Sequence, residues 1–136
     1  MAGKRNTILI AEDDRDLSEM YAKAFIANGF EVIRCSDGKE VLKKIKENFD
    51  LIDLITLDII MPKMDGFDLL EKIHSNAEYS KIPIIVLTNL DQNGDRDAAL
   101  SLGAKKYLIK ANTKPSQVVF AVKEQLGISS PQRKIV

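Results

Sequence analysis

Short apolar runs alternate along this chain with stretches in which apolar residues recur every three or four positions. Thr7–Ala11 reads Thr-Ile-Leu-Ile-Ala and stops abruptly at Glu12, Asp13 and Asp14. Leu17, Met20, Tyr21 and Ala24 then fall on one face of a helix; Asp14 or Asp16 is placed to cap its start, and Asn28 with Gly29 to end it. Glu31–Cys35 is a second strand-like run. Ser36, Asp37 and Gly38 predict a turn, and Val41, Leu42, Ile45 and Phe49 a second amphipathic helix, with Lys39, Lys43, Lys44 and Lys46 as its solvated face. A third run leads from Leu54 to Asp58, followed by a loop over residues 62–66. Phe67, Leu70 and Ile73 mark a third helix running to about Asn76. Pro83 precedes a fourth run, Ile84–Thr88, and residues 91–95 form a polar loop. Ala98, Ala99 and Leu102 make a short helix closed by Gly103. Lys106–Ile109 is the fifth run and ends at Lys110. Pro115 opens a last helix with Val118, Val119, Val122 and Leu126 on one face, stopped by Gly127. Phe120 lies off that stripe and is a candidate partner contact.

Runs this apolar, without strict polar alternation, read as strands buried on both faces of a parallel sheet. Five strand–helix alternations predict an α/β fold, a doubly wound sheet with helices on both faces and right-handed crossovers. No repeat or linker interrupts the pattern. The expected organisation is a disordered segment over residues 1–5, one domain over 6–127 and a flexible tail over 128–136. A chain of 136 residues can bury one substantial core. Lys+Arg and Asp+Glu number 20 each, so overall charge favours neither direct nucleic-acid binding nor an anionic membrane. Cys35 is the single cysteine and cannot form an internal disulfide. No apolar run approaches the ~18 residues of a membrane span, and the N-terminus lacks the apolar centre of a signal peptide. A soluble, cytoplasmic protein without membrane insertion is expected.

The chemistry gathers at the strand ends. In open sheets of this kind, ligands sit beyond the carboxyl ends of the strands. A buried strand should not end in a bare carboxylate such as Asp58 unless something pairs with its charge. If strands one and three are neighbours, Glu12, Asp13 and Asp58 meet in one crevice, joined by the Thr88 hydroxyl and the Lys110 ammonium. Three carboxylates in one pocket repel one another. A hard divalent cation, Mg²⁺, relieves this through oxygen ligands and keeps waters that phosphate can replace. Asp58 is then placed as a nucleophile towards a phosphoryl group, with Mg²⁺, Lys110 and Thr88 plus backbone N–H groups each taking one equatorial oxygen. Strand two, ending at Cys35, contributes nothing obvious. His74, on a polar helix stretch without a second His or Cys nearby, reads as a surface residue.

Four runs in order carry a resemblance: Ile-Leu-Ile-Ala-Glu-Asp-Asp, Leu-Asp-Ile-Ile-Met-Pro-Lys-Met-Asp-Gly, Ile-Ile-Val-Leu-Thr and Gly-Ala-Lys-Lys-Tyr-Leu-Ile-Lys. Over roughly residues 6–126 the chain resembles the receiver domain of two-component response regulators. The resemblance implies the flavodoxin-like strand order 2-1-3-4-5 with five helices. It implies Asp58 as phospho-acceptor, and Asp13 and Asp58 as direct Mg²⁺ ligands with the backbone carbonyl of Ile60, Glu12 acting mainly through water. Thr88 becomes the switch hydroxyl, Lys110 the phosphate-binding ammonium and Tyr107 the aromatic switch. The donor would be a phosphohistidine on a sensor histidine kinase or phosphotransfer protein. The chain would catalyse only its own phosphorylation and dephosphorylation. With no output domain following, the expected output is a contact between the helix 4/strand 5/helix 5 face and an unknown downstream protein, or onward phosphate relay.

The chain departs from the family pattern in two places. Ala111 follows Lys110 where the family usually has proline, often after a cis bond. A non-proline cis bond costs about 3 kcal/mol, so a trans bond and an altered loop over residues 111–114 are expected. Ile60 and Leu90 are apolar where polar residues often flank the phosphate, which would limit attack by water. One rival reading is a Mg²⁺-dependent phosphatase of the haloacid dehalogenase type. It wants a second Asp two residues after the nucleophile, where Ile60 stands, and a nucleophile after strand one, not strand three. Another rival is a receiver-like module that is never phosphorylated; the complete acidic set argues against it. A flavin or nicotinamide carrier is disfavoured because the acidic loop after strand one would repel a phosphate.

Overall fold

A computed structural model of the chain describes residues 5–128; residues 1–4 and 129–136, most of the two terminal segments set apart above, lie outside that range. The elements are β1 (Thr7–Ala11), α1 (Arg15–Ala27), β2 (Glu31–Cys35), α2 (Gly38–Asn48), β3 (Leu54–Leu57), α3 (Gly66–His74), β4 (Ile84–Thr88), α4 (Asp95–Ser101), β5 (Lys106–Ile109) and α5 (Pro115–Gln125). All strand pairs are parallel, in the order β2-β1-β3-β4-β5. This is the flavodoxin-like, doubly wound sheet with five helices. Strand order reverses between β1 and β3, which opens a crevice there at the carboxyl edge.

Side chains alternate along each strand, and the sheet therefore divides the interior into two cores. Leu9, Ile55, Leu57, Val86 and Tyr107 face one side, where Val41, Ile45, Leu69, Leu70, Ile73 and Ala99 of α2, α3 and α4 cover them. Ile8, Ile10, Leu54, Ile85 and Leu87 face the other, under Tyr21 and Phe25 of α1 and Val118, Val119 and Val122 of α5. Both faces of the central strands are covered, which is why β3 and β4 are apolar almost throughout.

Local chemistry sets the element boundaries. Asp14 rather than Asp16 caps α1, accepting the Leu17 amide at 3.0 Å; Asp16 lies in the first turn, where a negative charge complements the helix dipole. Helix α3 stops at His74, short of Asn76. The Asn76 side chain accepts the Glu78 and Tyr79 amides at 2.9 and 3.0 Å and turns the chain into a short 3₁₀ segment. His74 is exposed, as are Lys39, Lys43 and Lys46, with Lys44 half-exposed. Phe120 is 46% exposed on α5. Among the described residues, no helix is long and apolar enough to cross a membrane.

Candidate functional site

Strand register builds the site. Ala11 pairs with Leu57, so Glu12 and Asp58, each one residue further on, emerge side by side from neighbouring strands. The backbone there is held beyond the strand ends: the Glu12 amide donates to the Cys35 carbonyl and the Asp58 amide to the Ala11 carbonyl, both at 3.0 Å. On the other side Thr88 pairs with Ile109, which brings Lys110 out one residue past β5. Glu12 and Asp58 are 4% exposed and Thr88 is fully buried, whereas Asp13 is exposed at the rim.

The Lys110 Nζ donates to Asp58 Oδ2 at 2.6 Å and to Glu12 Oε1 at 2.7 Å. Asp58 Oδ1 accepts the Thr88 hydroxyl at 2.7 Å and the Ile60 amide at 3.0 Å. Glu12 Oε2 accepts the Asp14 amide at 3.0 Å. Burial pushes the Glu12 carboxyl above its ordinary range, held back in part by Lys110 and the Asp14 amide. For Lys110, burial pulls the ammonium down, but hydrogen bonds and attraction from Asp58 and Glu12 outweigh it and leave a net rise. The ammonium therefore stays charged between the two carboxylates at neutral pH.

Sequence reasoning placed Glu12, Asp13, Asp58, Thr88 and Lys110 in one crevice, and the structure brings all five together. Tyr107 pairs with Val86, two residues before the Thr88–Ile109 pair, and lies in the core on the α2–α4 side, its hydroxyl donating to the Leu90 carbonyl. Burial raises its phenol pKa, with Asp95, Asp91 and Asp58 adding to the rise. Ile60, 57% exposed, sits at the mouth of the crevice, and Leu90 is half-buried in the loop after Thr88. Cys35 is buried and its thiol is pushed up to about 12, chiefly by burial, which leaves it unreactive.

Carboxylate oxygens of Glu12, Asp13 and Asp58 lie within 4.8 Å of one another. Three hard oxygen donors facing a single ammonium leave an excess of negative charge, the setting in which Mg²⁺ binds through carboxylates. The residues fit the ion.

Two features of the surrounding loops were not read from the sequence. Gly66 donates to the Ile59 carbonyl at 3.1 Å, and a Cβ on Gly66 would stand 2.5 Å from the Ile59 Cα. The loop carrying Ile60 is thus folded tightly back on the start of α3. Lys110–Ala111 is trans, as expected, no cis bond occurring among the described residues. Residues Lys110–Asn112 form a 3₁₀ turn, and the Ala111 amide donates to Asn89 Oδ1 at 2.9 Å. The available signal was the missing proline ring, which leaves an N–H in need of an acceptor.

Comparison with known proteins agrees with this geometry. A family model described as the response regulator receiver domain matches residues 8–123. The response regulator MprA of Mycolicibacterium vanbaalenii is 36% identical over 103 residues, which cover 76% of this chain and 43% of MprA. The transcriptional regulatory protein CpxR of Escherichia coli K12 is 37% identical over 105 residues, covering 77% of this chain and 43% of CpxR. A solved two-component response regulator from Clostridium difficile matches with a TM-score of 0.82 at 28% identity, over 90% of this chain and 97% of that one. A CheY-like receiver domain protein from Methanospirillum hungatei JF-1 matches with a TM-score of 0.83 at 28% identity, over 91% and 95%. The chain belongs to the response regulator receiver domain family, a family of two-component, phosphorylation-dependent signalling. Membership leaves the phosphatase alternative without support. The chain spans less than half the length of the two curated relatives.

Proposed function

We propose that Asp58 accepts a phosphoryl group from a phosphohistidine on a sensor histidine kinase or phosphotransfer protein, and that this resets the face formed by α4, β5 and α5. The observation that carries the reading is one carboxylate gripped on separate oxygens by a half-buried ammonium and a buried hydroxyl, beyond the strand ends where a ligand would enter. An Asp58 oxygen attacks phosphorus, the P–N bond breaks, and the imidazole leaves with the bonding electron pair. Lys110 pairs with Asp58 and then neutralises one phosphoryl oxygen; the Thr88 hydroxyl and the Ile60 amide donate to others. Mg²⁺ held by Asp13, Asp58 and the Ile60 carbonyl, with Glu12 acting through water, would supply further charge neutralisation on the transferred group.

The switch follows from the same contacts. Thr88 bonds Asp58, and Leu90, two residues later, accepts the Tyr107 hydroxyl through its carbonyl. Arg96 of α4 donates to the Tyr107 carbonyl at 3.3 Å. A charge change at Asp58 is therefore linked through Thr88 and Tyr107 to α4 and β5, a local event biasing a two-state element. The output is a protein contact at that face or relay of the phosphoryl group. We take residues 6–127 as the signalling unit and its location as the cytoplasm, whose reducing conditions suit the buried Cys35 thiol.

Intact mass after incubation with acetyl phosphate and Mg²⁺ is expected to show one phosphoryl group on the wild-type chain and none on Asp58→Asn. Equal labelling of the two would remove Asp58 as acceptor, and no labelling of either would favour the never-phosphorylated module. Ile60 presents an apolar side chain at the crevice mouth, against water entering in line with the acyl phosphate. Ile60→Asn is expected to shorten the phosphoryl lifetime several-fold, read as loss of the phosphorylated mass after donor removal. An unchanged decay rate would exclude Ile60 as a barrier to water.

A further inference from the structure

We propose that Asn89 is a positioning residue for phosphoryl transfer, acting through the backbone amide of Ala111 to fix where Lys110 stands; the inference rests on the phosphorylation reading above. Asn89 follows Thr88 and Ala111 follows Lys110. The last paired residues of β4 and β5 are Thr88 and Ile109, so sheet pairing ends one residue before the ammonium-bearing position. The bond from the Ala111 amide to Asn89 Oδ1, at 2.9 Å, supplies a further rung made by a side chain.

That rung closes a ring. Asp58 Oδ2 holds Lys110 at 2.6 Å and Asp58 Oδ1 holds Thr88 at 2.7 Å. One peptide step leads from Lys110 to Ala111, the amide crosses to Asn89, and one peptide step returns to Thr88. The hydroxyl and the ammonium, which grip different oxygens of the same carboxylate, are thereby tied to each other independently of Asp58. Lysine has a long flexible stem, and holding its backbone fixes the arc over which the ammonium can reach. Proline at position 111 has no N–H and could not make the rung. Asn89 and Ala111 are both exposed, so the bond adds little to stability; its consequence is the geometry of the two groups that meet the phosphoryl oxygens.

The test uses the full chain with acetyl phosphate and Mg²⁺, with initial labelling rate measured against donor concentration. Asn89→Ala is expected to lower the saturating rate about tenfold while the half-saturating donor concentration stays within about twofold. Asn89→Asp retains an acceptor oxygen and is expected to recover most of the rate. In an Ala111→Pro background, which lacks the amide, Asn89→Ala costs nothing further. Hydrogen exchange at the Ala111 amide gives a readout independent of transfer: faster in Asn89→Ala, unchanged in Asn89→Asp. Wild type and Asn89→Ala labelling at equal rates, or Asn89→Asp as slow as Asn89→Ala, would overturn the inference while leaving the phosphorylation reading intact. An unlabelled wild-type chain would overturn that reading, and the inference with it.

Discussion

Lys110→Met is expected to slow phosphoryl transfer to Asp58 by at least about a hundredfold, the scale of losing one preorganised charge at a developing anion. The same change should destabilise the fold by about 3 kcal/mol at neutral pH, because it strands two buried carboxylates that share one ammonium. The pH dependence gives the sharper signature. Folding raises the Lys110 pKa above its ordinary 10.5, so the folded chain holds that proton more tightly than the unfolded one. This contribution is complete below 10.5 and is lost as pH rises through the folded value; Lys110→Met lacks that alkaline loss. Folding also raises Glu12 above 4.5, chiefly through burial, with Lys110 opposing the rise. The folded state then takes up the Glu12 proton more readily than the unfolded state, and stability falls as pH climbs from 4.5 through the folded value. Without Lys110 the folded Glu12 pKa climbs further. The stability gap between wild type and Lys110→Met should therefore narrow as pH falls from neutral towards 4.5. Urea unfolding at a series of pH values measures both effects, and a gap that stays constant with pH would mean Lys110 does not pair with Glu12 in solution.

Gly66→Ala is expected to cost about 3 kcal/mol through overpacking, lowering the melting temperature by roughly 10 °C. Two effects oppose each other. Alanine is the better helix former by about 1 kcal/mol, and position 66 begins α3. Against this, the added Cβ would meet Ile59 Cα at 2.5 Å and its carbonyl oxygen at 2.6 Å. These are backbone atoms of a residue packed in the core, with no rotamer through which to escape. The clash wins, and relief requires Ile59 and Ile60 to move. Since the Ile60 amide holds Asp58 Oδ1, labelling of Asp58 should also slow. Gly127→Ala is the control: its φ is 73° and a Cβ there meets nothing within 4 Å, so only the left-handed backbone cost of about 1 kcal/mol applies. Calorimetry on the two variants separates contact from conformational freedom; equal melting temperatures would show that the loop yields.

Much of the arrangement was legible in the chain. The runs at 7–11, 54–57 and 84–88 became the central strands, because burial on both faces demands uninterrupted apolar side chains over a short extended length; the more polar runs at 31–35 and 106–109 became the edge strands. The polar residue closing four of the runs was legible too: Glu12, Asp58, Thr88 and Lys110 interrupt the apolar pattern at the carboxyl end and so mark the ligand edge, whereas the run ending at Cys35 carries no such group. Helix ends were legible only to a residue or two. Either Asp14 or Asp16 satisfied the capping pattern, and what decided between them was which side chain reached the Leu17 amide. Asn76 looked helical by position, yet its side chain took the Glu78 and Tyr79 amides and ended α3 early.

The sequence by itself determined the order of strands and helices, the two-sided burial of the sheet and the chemical identity of each group at its edge. These follow from side-chain polarity and backbone preference over a few neighbouring residues. Only the tertiary structure decided that Lys110 bridges Glu12 and Asp58, that Asn89 meets the Ala111 amide and that Gly66 lies against Ile59. Each of those contacts joins separate elements or turns of the chain, and its distance depends on strand register and loop path, where a shift of one residue would point every side chain to the opposite face of the sheet.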